Sequence, residues 1–206
     1  MTTVLDHLVY AVPDLAAAVA EFEARTGIRP AAGGSHAGRG TANFLVGLGS
    51  AYLEIIGPDP AQPDHDGPRP FAVSGALAPR LVTWAVRVAD LDAVVADALR
   101  GGYDPGNIVG MSRKTPSGVV LEWRLTVTDA PAYGGLVPFL IDWGTTAHPA
   151  NAALPHAELT TFTATHPEPE AVHRVVDLLG VELPVEPGPE AALHAVLRTP
   201  RGAVVL

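Results

Sequence analysis

The sequence predicts an α+β fold of repeated βαβββ modules. They form a curved mixed sheet around a cavity, with helices on the outer face and a third, incomplete module at the C-terminus. Two observations predict it. A β-rich run, an Asp-Leu pair and an amphipathic helical stripe open the chain and return 76 residues on, so that Asp14-Leu15 maps onto Asp90-Leu91. Each such helix is followed by short apolar runs of strand length.

In the first unit, residues 5–12 are apolar and β-rich. Asp14 then caps a helix whose stripe is Leu15, Val19 and Phe22, and Gly27 ends it. Residues 41–48 and 51–56 read as strands. The second unit repeats this with a strand over 81–88, cap Asp90, a stripe of Leu91, Val94, Val95, Ala98 and Leu99, and Gly101-Gly102. Its strands fall at 108–114, 119–127 and 137–143. The third copy is fainter: a strand at 159–165, a helix from Glu168 through Val172, Val175, Val176 and Leu179 to Gly180, and strands at 193–198 and 203–206. A βαβββ unit covers one sheet face with its helix, so the other face must meet a second unit or enclose a ligand. The expected organisation is one domain over 1–150, made of modules 1–60 and 79–146, with a third, shorter module at 157–206 packed on it. The Pro-, Asp- and Gly-rich stretch 58–70 and the stretch 145–155 read as loops.

Composition narrows the function classes. With 48% hydrophobic and 17% charged residues the chain can bury a core. A formal charge of −9 repels a phosphate backbone, so no nucleic-acid partner is expected. The absence of cysteine excludes disulfides and thiol nucleophiles. No signal-peptide pattern and no run of about 20 apolar residues is visible, so a cytoplasmic protein without membrane contact is expected.

Asp6-His7-Leu8-Val9-Tyr10-Ala11-Val12-Pro13-Asp14-Leu15 and Tyr52-Leu53-Glu54-Ile55-Ile56 resemble the vicinal oxygen chelate superfamily of glyoxalase I, extradiol dioxygenases and bleomycin-resistance proteins. The strand Pro138-Phe139-Leu140-Ile141-Asp142-Trp143-Gly144, with His148-Pro149 after it, and the stretch from Gly34 to Asn43 resemble its glyoxalase-like group. The resemblance implies a cavity that takes a small-molecule ligand and a homodimer. It also implies a site for a divalent metal (Zn, Fe, Ni or Mn), with ligands from the first and last strands of each module. His7 and Glu54 stand at those positions in the first unit, as tentative metal ligands and catalytic residues. In the second unit Thr83 matches His7, and aligning Gly57 with Gly144 puts Ile141 where Glu54 was; neither is a good ligand.

The remaining candidates follow from strand alternation and position. Leu53 and Ile55 are expected to face the helix and Glu54 the cavity. In the run 119–126, Leu121, Trp123 and Leu125 form one face and Glu122, Arg124 and Thr126 the other. With the polar face turned to the cavity, Glu122 and Arg124 are substrate-binding candidates, and Arg124 is suited to clamp a carboxylate or enolate. The structural alternative pairs Glu54 with Arg113 or Arg124. His36 and Asn43 are candidates in or beside the Gly-rich stretch 33–40, read as a mobile loop over the cavity or as a plain turn. Asp142 and His148 are candidates at the cavity mouth, as a base and its orienter. Trp84 reads as core, and His65, His156, His173 and His194 as surface. Three functions stay open: an isomerase, lyase or dioxygenase using His7 and Glu54; a metal-free binding protein of bleomycin-resistance type; and an interaction module whose third unit seals the cavity.

Overall fold

The structure, a computed structural model, describes residues 3–67, 69–71 and 78–206. Pro68, inside the expected 58–70 loop, and residues 1–2 of the first module lie outside the described residues. The first unit runs β1 (Val4–Ala11), α1 (Leu15–Thr26), β2 (Ala31–His36), β3 (Thr41–Gly47) and β4 (Tyr52–Pro58). The second runs β5 (Arg80–Arg87), α2 (Leu91–Arg100), β6 (Asn107–Lys114), β7 (Val120–Val127) and β8 (Phe139–Asp142). The third runs β9 (Glu158–His166), α3 (Pro169–Leu178), β10 (Val185–Pro187), β11 (Ala192–Thr199) and β12 (Gly202–Val205).

The helix signals act as local chemistry requires. Asp14 and Asp90 each accept a hydrogen bond from the backbone N–H three residues on, at 2.9 and 3.0 Å. Gly27 closes α1 in the left-handed region, at φ 75°. α3 has no side-chain cap; Pro169 starts it instead.

The first two units close into one barrel in the order β1-β4-β3-β2-β6-β7-β8-β5. The halves join along a long antiparallel seam, β1 against β5, and at a second seam with the single pair Ser35–Lys114. β2 occupies the stretch that reads as a Gly-rich loop in the sequence. The structure corrects that expectation: residues 31–36 are a strand paired with β3, and the turn is confined to residues 37–40. Close packing explains the glycines. A Cβ on Gly33 would meet Asn43 Oδ1 at 2.2 Å, and one on Gly34 would meet the Lys114 carbonyl at 2.2 Å. β2 is therefore the strand of small residues that lets the second seam close.

The third unit adds a short strand, β10, to the elements read from the sequence, and forms a sheet of its own, β10-β9-β11-β12. Its first strand is interior, whereas β1 and β5 end the four-strand stretch of their own halves. It packs outside the barrel. Trp84 of β5 meets Phe162 of β9 edge-on at 5.2 Å, and Trp84 Nε1 donates to the Leu136 carbonyl. Leu8, Leu53 and Ile55 share one apolar core with Leu91, Val172, Val176 and Leu197.

Candidate functional site

The interior of the barrel is divided between its halves. β2, β3, β4 and β1 contribute His36, Asn43, Tyr52, Glu54 and His7 to a cavity of about 40 Å³. The second half contributes Met111, Trp123, Leu125, Phe139, Ile141 and Trp143, with Arg113 its one charged side chain there; Pro70 and Phe71 complete the wall. Phe71 stacks on Phe139 at 5.5 Å.

A bulge in β1 builds the polar end. Leu5 faces Val86 and His7 faces Ala85, so Asp6 has no partner across the seam. The extra residue breaks the strict alternation that would send Asp6 and His7 to opposite faces. Asp6 is fully buried and accepts from three side chains: His7 Nδ1 at 2.6 Å, His148 Nε2 at 2.9 Å and Trp143 Nε1 at 3.0 Å. Burial would raise its pKa, but the hydrogen bonds and charges of His148 and His7 hold it well below the ordinary carboxylate value. An ionised Asp6 only accepts, so His7 carries its proton on Nδ1 and, in the neutral ring, presents a lone pair at Nε2. The same logic fixes His148: Nε2 donates to Asp6, and Nδ1 accepts from the Ala150 N–H at 3.2 Å.

His7 Nε2 faces Glu54 Oε2 at 3.7 Å, too far for a hydrogen bond. Asn43 Nδ2 donates to Glu54 Oε1 at 2.6 Å, and His36 Nε2 lies 3.9 Å from the same oxygen. His36 Nδ1 meets Thr41 Oγ1 at 3.0 Å. Burial pushes the His36 imidazole below its ordinary value; Glu54 opposes that and Arg113 reinforces it. Tyr52 stacks on His7 at 4.7 Å, and burial plus the charges of Asp6 and Glu54 push its phenol well above the ordinary value. The hydroxyl therefore keeps its proton at neutral pH. Asn43 Oδ1 is buried with no partner among the described residues.

Sequence-predicted residues fall into three places: the cavity, an open groove outside the barrel and, for His148 alone, a position against Asp6 that lines neither. His7, Glu54, His36 and Asn43 line one cavity, while Leu53 and Ile55 pack in the apolar core outside it. Arg124 and Glu122 do not enter the barrel. Leu125 and Trp123 take the interior because the second half presents an apolar wall, so the polar face of β7 turns outward. Arg124 Nη2 is held at 2.9 Å by both oxygens of Asp92 on α2. Glu122, Arg124 and Asp142 instead line an open groove of about 530 Å³, with Thr145, Thr146 and edges of Trp123 and Trp143. Asp142 does not pair with His148. It accepts from the Gly144 N–H at 2.8 Å, and His148 pairs with Asp6. Glu54 forms no salt bridge with Arg113 or Arg124. Asp6, Tyr52 and Arg113 are the polar residues that sequence reasoning left outside the site. The alternation Val109, Met111, Arg113 carried a signal for Arg113; no sequence signal marks the bulge.

Barrel hydrogen bonding also corrects the match between halves. Val12 N donates to the Ile56 carbonyl at 2.9 Å and Val88 N to the Ile141 carbonyl at 3.0 Å. Ile56 therefore corresponds to Ile141, and the counterpart of Glu54 is Phe139. The glycine alignment failed because the chain leaves β4 and β8 differently. The positions that would complete a two-module metal site hold Thr83 and Phe139. Among the described residues, no three His, Cys, Asp or Glu side chains are arranged to hold a metal. Around Glu54, His7 Nε2 and His36 Nε2 stand at 3.7 and 3.9 Å. With Thr83 and Phe139 at the counterpart positions, the second half supplies no ligand to the two-module donor set.

A pseudo-symmetric barrel of two βαβββ units around an interior site defines the vicinal oxygen chelate architecture. Within it, the chain belongs to the glyoxalase-like domain family, whose profile matches residues 5–179. A crystal structure of a hypothetical protein from Staphylococcus aureus is similar over 99% of this chain and 84% of that one, with TM-score 0.64 and 15% identity. Methylmalonyl-CoA epimerase from Mycobacterium tuberculosis is similar over 68% of this chain and 87% of that one, with TM-score 0.42 and 20% identity. A methylmalonyl-CoA epimerase in complex with methylmalonyl-CoA and NH4+ is similar over 72% of this chain and all of that one, at TM-score 0.49 and 20% identity. No curated protein matches in sequence. Among the described residues, no helix is long and apolar enough to cross a membrane.

Proposed function

We propose that this glyoxalase-like protein is a small-molecule enzyme of the isomerase or lyase type, in which His7 and Glu54 move a proton without a metal. The carrying observation is the setting of His7. Its Nδ1 is engaged by Asp6 at 2.6 Å, and its Nε2 opens into a small cavity 3.7 Å from the Glu54 carboxylate. A base and a second proton carrier facing one reacting carbon are what a proton shift beside a carbonyl requires. Tyr52 fixes the ring plane by stacking and Asn43 fixes the Glu54 carboxylate, so both groups are preorganised.

The test is exchange of solvent deuterium into C–H groups beside the carbonyl, followed by proton NMR across a panel of small carbonyl compounds. Glu54→Gln and His7→Asn are each expected to slow exchange by about 10²- to 10⁴-fold without loss of folding. Exchange at the native rate in both variants would remove the assignment. A second reading, ligand binding without turnover, is favoured by the open groove of about 530 Å³ beside Trp123 and Trp143, a size suited to a small molecule. Saturable binding of a panel compound with no exchange in the native protein would select it.

A further inference from the structure

Arg113 occupies an unusual position for a cation. It follows Val109 and Met111 in phase along β6, so its side chain enters the barrel with theirs. It is only 5% exposed. Its one hydrogen bond among the described residues runs from Nη1 to the Gly33 carbonyl. A guanidinium has five N–H donors and does not lose its charge in proteins. No carboxylate among the described residues forms a salt bridge with it, and the residues outside that set (1–2, 68 and 72–77) include no Asp or Glu. Glu54, the acid in the same cavity, is already engaged by Asn43.

Charges taken out of water are retained where they are paired or hydrogen-bonded. Here the cation lines the same cavity as His7 and Glu54, with most of its donors unspent. We infer that Arg113 is the anchor for an oxyanion, and that the site takes a small carboxylate which reacts at the carbon beside its carboxyl or carbonyl group. The planar fork matches a carboxylate or an enolate in two parallel hydrogen bonds. The cavity of about 40 Å³ takes roughly three water-sized groups, the bulk of a carboxylate and the carbon that bears it. The identity of the reacting carbon rests on the proton-transfer reading of His7 and Glu54; the anion site does not.

The probe is oxalate, a planar dianion shaped like an enolised 2-oxo acid, with its neutral amide oxamide as control. Binding is followed by calorimetry on the full chain, with no turnover required. Oxalate is expected to bind one per chain, and Arg113→Met to weaken it at least about tenfold. Arg113→Lys, which keeps the charge without the fork, is expected to fall between. Glu54→Gln is expected to bind oxalate at least as well as the native protein, since it removes a like charge. Equal affinity for oxalate and oxamide in the native protein overturns the anion site without any variant. So does native-like oxalate binding in a folded Arg113→Met, or no oxalate binding to the native protein. If oxalate binds as expected but Glu54→Gln and His7→Asn leave proton exchange unchanged, the anion site stands and the proton-transfer reading fails.

Discussion

The two halves of the barrel share a backbone plan and divide the chemistry between them. In the first half the interior positions are His7, His36, Asn43, Tyr52 and Glu54, with Ile56 the apolar exception; in the second they are Met111, Trp123, Leu125, Phe139 and Ile141, with Arg113 the polar exception. The hydrogen-bonded register pairs Glu54 with Phe139 and His7 with Thr83 as counterparts. Duplication therefore supplies the shape of the cavity but does not oblige both halves to hold polar groups. A carboxylate is costly inside a barrel unless it finds donors, and Glu54 and Asp6 find theirs. Phe139 and Trp143 give the polar side a low-dielectric wall, against which its hydrogen bonds strengthen.

The division is most sharply tested at Asp6, where the halves meet. Its donors come from both: His7 from β1, and Trp143 and His148 from the segment after β8. Asp6→Ala leaves three donors without an acceptor and is expected to cost about 3–5 kcal/mol in urea unfolding. Its pH dependence has a definite sign. The folded pKa is depressed below the ordinary 3.8, so the stability from ionised Asp6 is fully present above about pH 4 and is lost as pH falls below that value. Native protein is expected to lose stability with acid more steeply than Asp6→Asn over that range. Parallel acid titrations of the two would show that the carboxylate is not the linchpin of the seam.

A smaller effect is expected in the apolar half. Ile141→Val removes one methylene from a wall without polar partners and is expected to cost about 0.5–1.5 kcal/mol. It is expected to leave proton exchange within about twofold, because no hydrogen bond of the His7–Glu54 pair passes through it. A loss of exchange as large as that of Glu54→Gln would mean that the second half positions the reacting groups, and the comparison would fail.

How much of this was legible in the sequence follows the same division. The repeat is legible because Asp-Leu caps and helical stripes are local signals, and they fix the two equivalent helices. β2 escapes because Gly33 and Gly34 have poor strand propensity; only tertiary crowding against Asn43 and Lys114 demands them. The alternation of β7 separates Trp123 from Arg124 but does not say which face is inside. That depends on the other half already holding the polar groups. The bulge at Asp6 is set by a one-residue mismatch between β1 and β5, a relation between strands 80 residues apart that no local pattern records. The family pattern places His7 and Glu54 on the first and last strands of their unit, and both line the cavity. Asp6, which gives His7 its tautomer, lies next to it in sequence yet needs the bulge to act.

The smallest predicted effects compare the three units directly. Asp14 and Asp90 make the same capping bond, at 2.9 and 3.0 Å, to Ala17 and Ala93. Each →Ala substitution is expected to cost about 1 kcal/mol. At the same place in the third unit Glu168 makes no side-chain cap, and its own N–H is donated to His166 Nδ1 at 2.9 Å. Glu168→Ala is therefore expected to change stability by less than about 0.5 kcal/mol. Thermal unfolding of the three single variants checks the set. Equal losses at Asp14 and Asp90 with none at Glu168 would tie capping to the two barrel halves. A loss at Glu168 as large as theirs would mean that the third helix start draws stability from its acidic side chain by charge alone, through the field of the helix N-terminus. A one-sided loss, at Asp14 but not Asp90, would mean instead that α2 is held by packing on β8 and the Asp92–Arg124 pair, so that the halves differ on their outer faces as they do inside.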